Sequence, residues 1–346
     1  MQAAALAPWQ RRPYAQAMAA FESGRLGHGL LFSGPAMLGK RALAERLAKR
    51  LLCTSPGADG EACGRCRSCQ LFAAGTHPDY AVATLELNKE GTRLRTEIVI
   101  EQIRTLSERM ALTPQFGGAQ IAVLDPADAI NHAACNALLK TLEEPNQSRY
   151  LWLISAHPAR LPATIRSRCQ RLQFQLPSAD EALAWLRDRG HAQGAATEAL
   201  TAARGHPGLA DAWLRDGGLD LRREVAADLV ALARGEHGAL ETAQRWTAGT
   251  DLDQRLHHAA DLAAVEAGCE ADASMSALGL GLPLTGSRRI RTLATWFDAA
   301  NRTRDLLRTT VRADLALTEL LAQWRQLAAS RGAAAPASHK PRGDRR

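Results

Sequence analysis

Nothing in the 346-residue chain is apolar for long enough to cross a bilayer. The opening stretch MQAAALAPWQRRPY lacks a basic start followed by a sustained apolar core, so no secretion signal is read there and a cytoplasmic location is expected. In that compartment the seven cysteines point to metal ligands or buried thiols before disulfides. No internal repeat is found. The folded part also lacks a strong charge bias. Of the net +7, the five basic residues and one acid of 331–346 supply +4, which leaves +3 for the rest and argues against a dedicated nucleic-acid module.

What is present is a soluble, globular composition, 46% hydrophobic and 23% charged, with length for two or three cores. Residues 1–175 read as an α/β unit. The short apolar strands GLLFS, YAVATL, QIAVLD and LWLIS alternate with helical segments, the pattern of a parallel sheet covered by helices. QLPSAD (175–180) marks a boundary, and 176–213 is expected to be a small helical unit with Leu183, Leu186, Leu209 and Leu214 in its core. Residues 214–330 show no strand signal. Leu, Ala and Trp recur at helical spacing there, and Trp246, Trp296, Leu306, Leu307, Leu320, Leu321 and Trp324 are expected to pack a bundle. The Ala/Pro/Gly-rich tail 331–346 has no apolar periodicity and is expected to be disordered.

Gly34, Gly39 and Lys40 in LLFSGPAMLGKRALAERL match the spacing of a phosphate-binding loop, with a strand entering and an amphipathic helix leaving. Glycines let backbone N–H groups turn toward phosphate, and the lysine reaches the terminal phosphates. The next position normally carries the hydroxyl that ligates Mg²⁺. Arg41 stands there, permanently protonated and unable to bind metal. The second strand of such a site should end in an acid followed by a base for water. QIAVLD supplies Asp125, but Pro126 follows it, and Asp128 is read as a cap for the next helix. Hydrolysis is therefore not expected. Lys40 and the glycines remain compatible with nucleotide held without metal, and Arg41 is equally able to contact phosphate itself.

Cys53, Cys63, Cys66 and Cys69 form C-x9-C-x2-C-x2-C in a Gly- and Ser-rich segment. Four thiols at that spacing suit a closed tetrahedral Zn²⁺ site better than buried thiols, which seldom cluster in polar segments, or a redox pair, which needs two. Cys135, Cys169 and Cys269 are read as packing thiols. His77 in HPDY is the nearest candidate for an extra ligand, with a loop role preferred. No pair of metal-binding carboxylates suited to nucleotidyl transfer is visible.

Together, HGLLFSGPAMLGKR, the four-cysteine insert, HPDY, IVIEQIRTL, NALLKTLEEP and LPATIRSRCQ resemble the AAA+ subunits of the bacterial DNA polymerase III clamp loader. The resemblance carries specific motifs from residue 8 to about 210 and rests on helical character beyond. It implies an AAA+ α/β domain at 1–175 with a zinc module at 53–69, a helical lid at 176–213 and a helical collar for oligomerisation at 214–330. Arg41 and Pro126, where the motor subunits keep a hydroxyl and a glutamate, mark the δ′ type. Leu209 in GHPGLA falls where motors carry a lid arginine, and Ser155 falls near their phosphate-sensing position. Ser-Arg-Cys at 167–169 is intact, which implies that Arg168 serves as an arginine finger in the ATP site of a neighbour. The implied partners are γ/τ-type motor subunits and a δ-type subunit in a hetero-pentamer, with the sliding clamp and primer–template DNA met through the complex. Two rivals are an active AAA+ motor that tolerates Arg41 and a zinc-bearing nucleic-acid-binding protein on an AAA+ scaffold.

Overall fold

The computed structural model describes residues 5–88, 90–143, 148–271, 280, 287–307 and 311–329, with the backbone alone at 269–271, 287–289 and 328–329. The chain divides into two compact units, Met1–Ala210 and Asp211–Arg346.

The first unit is built on a parallel sheet. Its strands β1 (Gly29–Ser33), β2 (Tyr80–Thr84), β3 (Gln120–Asp125), β4 (Arg149–Ser155) and β5 (Gln170–Gln173) lie in the order β2-β3-β4-β1-β5. The period-2 alternation of a strand sorts the side chains onto two faces. Leu31, Ala122, Leu124, Leu151 and Leu153 bury against α4 (Ile100–Ala111), α5 (His132–Glu143) and α6 (Ala163–Arg166). Leu30, Phe32, Ile121, Val123, Trp152 and Ile154 bury against α1 (Pro8–Glu22) and α2 (Lys40–Leu52). Both faces of the central strands are covered, which is why QIAVLD and LWLIS are continuously apolar rather than alternating. α3 (Arg67–Ala73) starts after its N-cap Cys66 and carries Cys69.

The four strands read from the sequence are present, and β5 is an addition. Its QRLQ sequence offers one apolar residue, Leu172, fully buried on the α1/α2 face, so an edge strand formed without a sequence signal. α7 (Ala179–Asp188) opens on a Ser178/Glu181 capping box, and α8 (Gln193–Ala202) and α9 (Pro207–Asp216) follow. The expected core of this stretch is corrected. Leu186 is buried, but Leu183, Leu209 and Leu214 are only partly so, and Ala182, Ala196, Ala199, Leu200 and Ala210 fill the interior.

The second unit contains α10 (Gly218–Arg234), α11 (Ala239–Ala248), α12 (Leu252–Ala271), α13 (Ser287–Leu306) and α14 (Ala313–Ala329). Trp246, Trp296 and Trp324 are core residues, as their spacing suggests, and each indole N–H has an acceptor: Asp228 at 2.8 Å, the Leu320 carbonyl at 2.9 Å and the Leu229 carbonyl at 2.9 Å. Leu306 departs from expectation and is exposed. Cys135 and Cys169 are buried thiols; the Cys269 side chain and the tail 331–346 lie outside the described residues. No described helix is long and apolar enough to cross a membrane.

Candidate functional site

The loop between β1 and α2 turns where only glycine fits. Gly34 has φ +141° and a Cβ there would sit 2.3 Å from the Phe174 carbonyl oxygen; Gly39 has φ +75° and a Cβ would meet the Gln10 amide nitrogen at 2.1 Å. Lys40 opens α2 and is buried, its Nζ donating to the carbonyls of Gly34 (2.8 Å) and Pro35 (2.6 Å). Two of the three ammonium donors therefore hold the loop. Burial lowers the Lys40 pKa, and the charges of Asp125 and Asp128 oppose that.

Three further residues brace the loop. Trp9 Nε1 donates to the Leu38 carbonyl at 3.0 Å, and Gln10 Nε2 donates to the carbonyls of Leu38 and Gly39 at 3.1 and 3.2 Å. His206 Nδ1 accepts the Leu209 N–H at 3.1 Å, which leaves the proton on Nε2 to donate to the Ala36 carbonyl at 2.8 Å. Burial lowers the His206 pKa, in keeping with this neutral form. None of the three is legible in the sequence, because a donor 29 or 170 residues away leaves no local pattern. Leu209 itself offers no charge here.

Arg41 reaches an acid on its own helix and the acid that ends β3. Its Nε donates to Glu45 Oε1 at 2.6 Å and its Nη1 to Asp125 Oδ2 at 3.2 Å. Burial pulls the guanidinium down in pKa, and the bonds to Glu45 and Asp125 help to outweigh it, so the net direction is upward. In a metal-dependent cradle the hydroxyl at position 41 and the acid at the end of the second strand share one ion. Here the same two positions are joined directly, cation to carboxylate. Asp128 is corrected: its Oδ1 accepts the Ala156 N–H at 3.1 Å at the end of β4, and Asn131 caps α5 through the Ala134 N–H at 2.9 Å. Ser155 closes β4 in register with Ser33, and its buried hydroxyl meets no acceptor or donor among the described residues.

Arg168 stands elsewhere. It precedes β5, at the end of the sheet where β1 begins, and its carbonyl lies 3.1 Å from the place a Gly29 Cβ would occupy. The loop starts at Gly34, at the far end of β1. The length of that strand, at roughly 3.3 Å per residue, puts the two about 16 Å apart. Its guanidinium pairs with Glu143 at 2.7 Å and donates to the Thr164 carbonyl at 3.0 Å.

Cys53, Cys63, Cys66 and Cys69 come together with all four Sγ atoms within 4.8 Å of one another. Cys53 Sγ is 3.6 Å from Cys63 Sγ and 3.9 Å from Cys66 Sγ, against an edge of about 3.8 Å for a tetrahedron of sulfurs around zinc at Zn–S of about 2.3 Å. The amides of Cys63, Cys66 and Cys69 donate to the sulfurs of Cys53, Cys63 and Cys66 at 3.3, 3.3 and 3.4 Å, an arrangement that favours thiolate. Burial pushes the Cys66 thiol up, but hydrogen bonds from Thr54 and the Cys69 amide outweigh it and bring the pKa to about 5. The donor set fits a soft tetrahedral ion. The loop is moored to α2 by a two-point Arg46–Glu61 contact (2.9 and 3.2 Å) and by Arg50 Nε on the Gly60 carbonyl. His77 is not part of the cluster. Its Nδ1 accepts the Asp79 N–H at 3.0 Å, Nε2 donates to Ser68 Oγ at 2.9 Å, and the Ser68 hydroxyl donates to the Leu52 carbonyl at 2.6 Å.

A family model described as "DNA polymerase III, delta subunit" matches residues 9–178. The DNA polymerase III subunit delta' of Pseudomonas aeruginosa is 40% identical over 243 residues, 69% of this chain and 70% of that one. The Escherichia coli protein of the same name is 37% identical over 205 residues, 59% of each chain, so the match spans less than two thirds of that relative. A solved structure of a DNA polymerase III gamma subunit-related protein from Thermotoga maritima covers 91% of this chain and 99% of its own, at 15% identity and a TM-score of 0.48.

Proposed function

The chain belongs to the family of DNA polymerase III δ′ subunits, and from that premise we propose that it is a non-hydrolysing member of a clamp loader that lends Arg168 to a neighbouring motor. One observation carries the reading. Arg168 and the chain's own nucleotide cradle lie at opposite ends of the neighbouring strands β5 and β1, about a strand length apart. An arginine so placed is out of reach of phosphate bound at Lys40, yet it stands on a surface where another subunit's phosphate could meet it. A guanidinium there neutralises charge developing on the transferred phosphoryl group, an effect of about 10³–10⁵-fold in known cases.

The cradle's own chemistry supports the non-hydrolysing half. Arg41 holds Asp125, the acid that would otherwise anchor Mg²⁺, and Pro126 offers no group to orient water. Gly34, Gly39, Lys40, Arg41 and Asp125 thus form a degenerate nucleotide site. Cys53, Cys63, Cys66 and Cys69 would hold a structural Zn²⁺; with four protein ligands it supplies rigidity and no open coordination position. In this reading 176–213 is the lid and 214–330 the collar through which the subunit joins γ/τ-type motors and a δ-type subunit, and clamp and primer–template DNA are met through the assembly.

The test is Arg168→Ala in the reconstituted complex. The expected result is a loss of clamp- and DNA-stimulated ATP turnover by at least about 10³-fold at the adjoining site with assembly intact. Unchanged turnover discards the finger, and ATP hydrolysis by the purified lone chain discards the non-hydrolysing role.

A further inference from the structure

Arg168 ends a long side chain with four rotatable bonds, and its backbone and its tip are fixed by different parts of the unit. The backbone is wedged. Its N–H donates to the Ile165 carbonyl at 3.1 Å, and its carbonyl backs onto Gly29, where any Cβ would also strike Leu142 Cδ2 at 3.0 Å. Next to it Gln170 takes the Gly27 N–H at 2.9 Å, so the segment is pinned to the entry of β1. At the tip, Nη1 donates to the Thr164 carbonyl at 3.0 Å and Nη2 pairs with Glu143 at 2.7 Å. Among the described residues these are two of the guanidinium's five donors.

The placement of Glu143 is the informative part. It stands on α5, a different element from the segment that carries Arg168. Both partners are substantially exposed, 38% for Arg168 and 49% for Glu143, and exposed pairs contribute little to stability. Stability therefore does not account for the pair. Orientation of the guanidinium does: with one edge held by Thr164 and Glu143, the plane is set before phosphate arrives, and less rotamer freedom is lost on engagement.

We infer that Glu143 is a positioning residue for Arg168, an inference that rests on the finger reading above. It touches no reacting atom and acts through the guanidinium. The experiment uses the reconstituted complex with Glu143→Ala, Glu143→Gln, Arg168→Ala and the Glu143→Ala/Arg168→Ala pair, reading kcat and KM for ATP alongside assembly. Glu143→Ala should lower kcat about tenfold with KM unchanged. Glu143→Gln keeps an acceptor oxygen in place and should recover to within about threefold of wild type. The double variant should be no slower than Arg168→Ala alone. If Arg168→Ala slows turnover but Glu143→Ala does not, or if the two losses multiply, positioning is overturned while the finger stands. If Arg168→Ala has no effect, both fall together.

Discussion

His258 makes the second unit acid-sensitive by an amount that follows from its surroundings. The ring is fully buried on α12, set edge-on to Trp213 at 4.8 Å, and neither nitrogen meets hydrogen-bond geometry with a described group. Burial first, then the Arg222 charge and neighbouring His257, push its pKa from 6.5 to about 3, with partial opposition from the Gly218 backbone. Arg222 is itself fixed by Asp261 at 2.6 Å and does not yield. The folded ring therefore stays neutral where the unfolded ring protonates. Its stability contribution is complete above pH 6.5 and is lost as the pH falls toward 3. At about 1.4 kcal/mol per unit, acidification from pH 7 to pH 5 should cost about 2 kcal/mol at this one residue, or about 4–8 °C for a unit of this size. Urea unfolding of the full chain at several pH values measures it, with His258→Leu as reference. The hydrocarbon forfeits no hydrogen bond, so the variant should lose about 2 kcal/mol less than wild type between pH 7 and 5. Parallel pH profiles for the two proteins would refute the argument.

The purified chain should carry about one zinc per molecule by elemental analysis; Cys63→Ser should abolish it and lower the melting temperature, and full metal-free stability would contradict the ligand assignment. Arg41→Thr restores a hydroxyl and releases Asp125, so it should gain Mg²⁺-dependent binding of a fluorescent ADP analogue without ATP turnover. Turnover should need Pro126→Glu as well, and measurable hydrolysis by Arg41→Thr alone would show that Pro126 is not the second block. Gly208→Ala would set a Cβ 2.0 Å from the Met37 carbonyl oxygen, and the repacking should cost about 2 kcal/mol or more in urea unfolding; an unchanged midpoint would show that the loop yields freely.

The features legible in the sequence were those with local repetition or fixed spacing. Apolar runs announced β1 through β4, and Gly34, Gly39 and Lys40 and the four cysteines announced their sites, because each chemistry demands its residues close together in the chain. β5 escaped because QRLQ is an edge strand whose one buried residue makes no pattern. Proximity suggests a helix cap for Asp128, whereas its partner, the Ala156 N–H, lies just past the end of β4, 28 residues on. Leu306 fits a helical stripe but ends α13 at its exposed end, where periodicity no longer reports packing. Glu143 reads as an ordinary acid in NALLKTLEEP until the fold brings Arg168 beside it.

α2 bears Lys40 at one end and leads into Cys53 at the other, a rod of thirteen residues and about 20 Å. Leu43, Ala44, Leu47, Ala48 and Leu51 are packed beneath its whole length. A disturbance at the sulfur end therefore has to dislodge several buried turns before it reaches the glycines, and fraying should stop within the last turn. Stripping the ion would leave the chain with a slack loop and an undisturbed cradle, so contacts that depend on one end should fail independently of those that depend on the other.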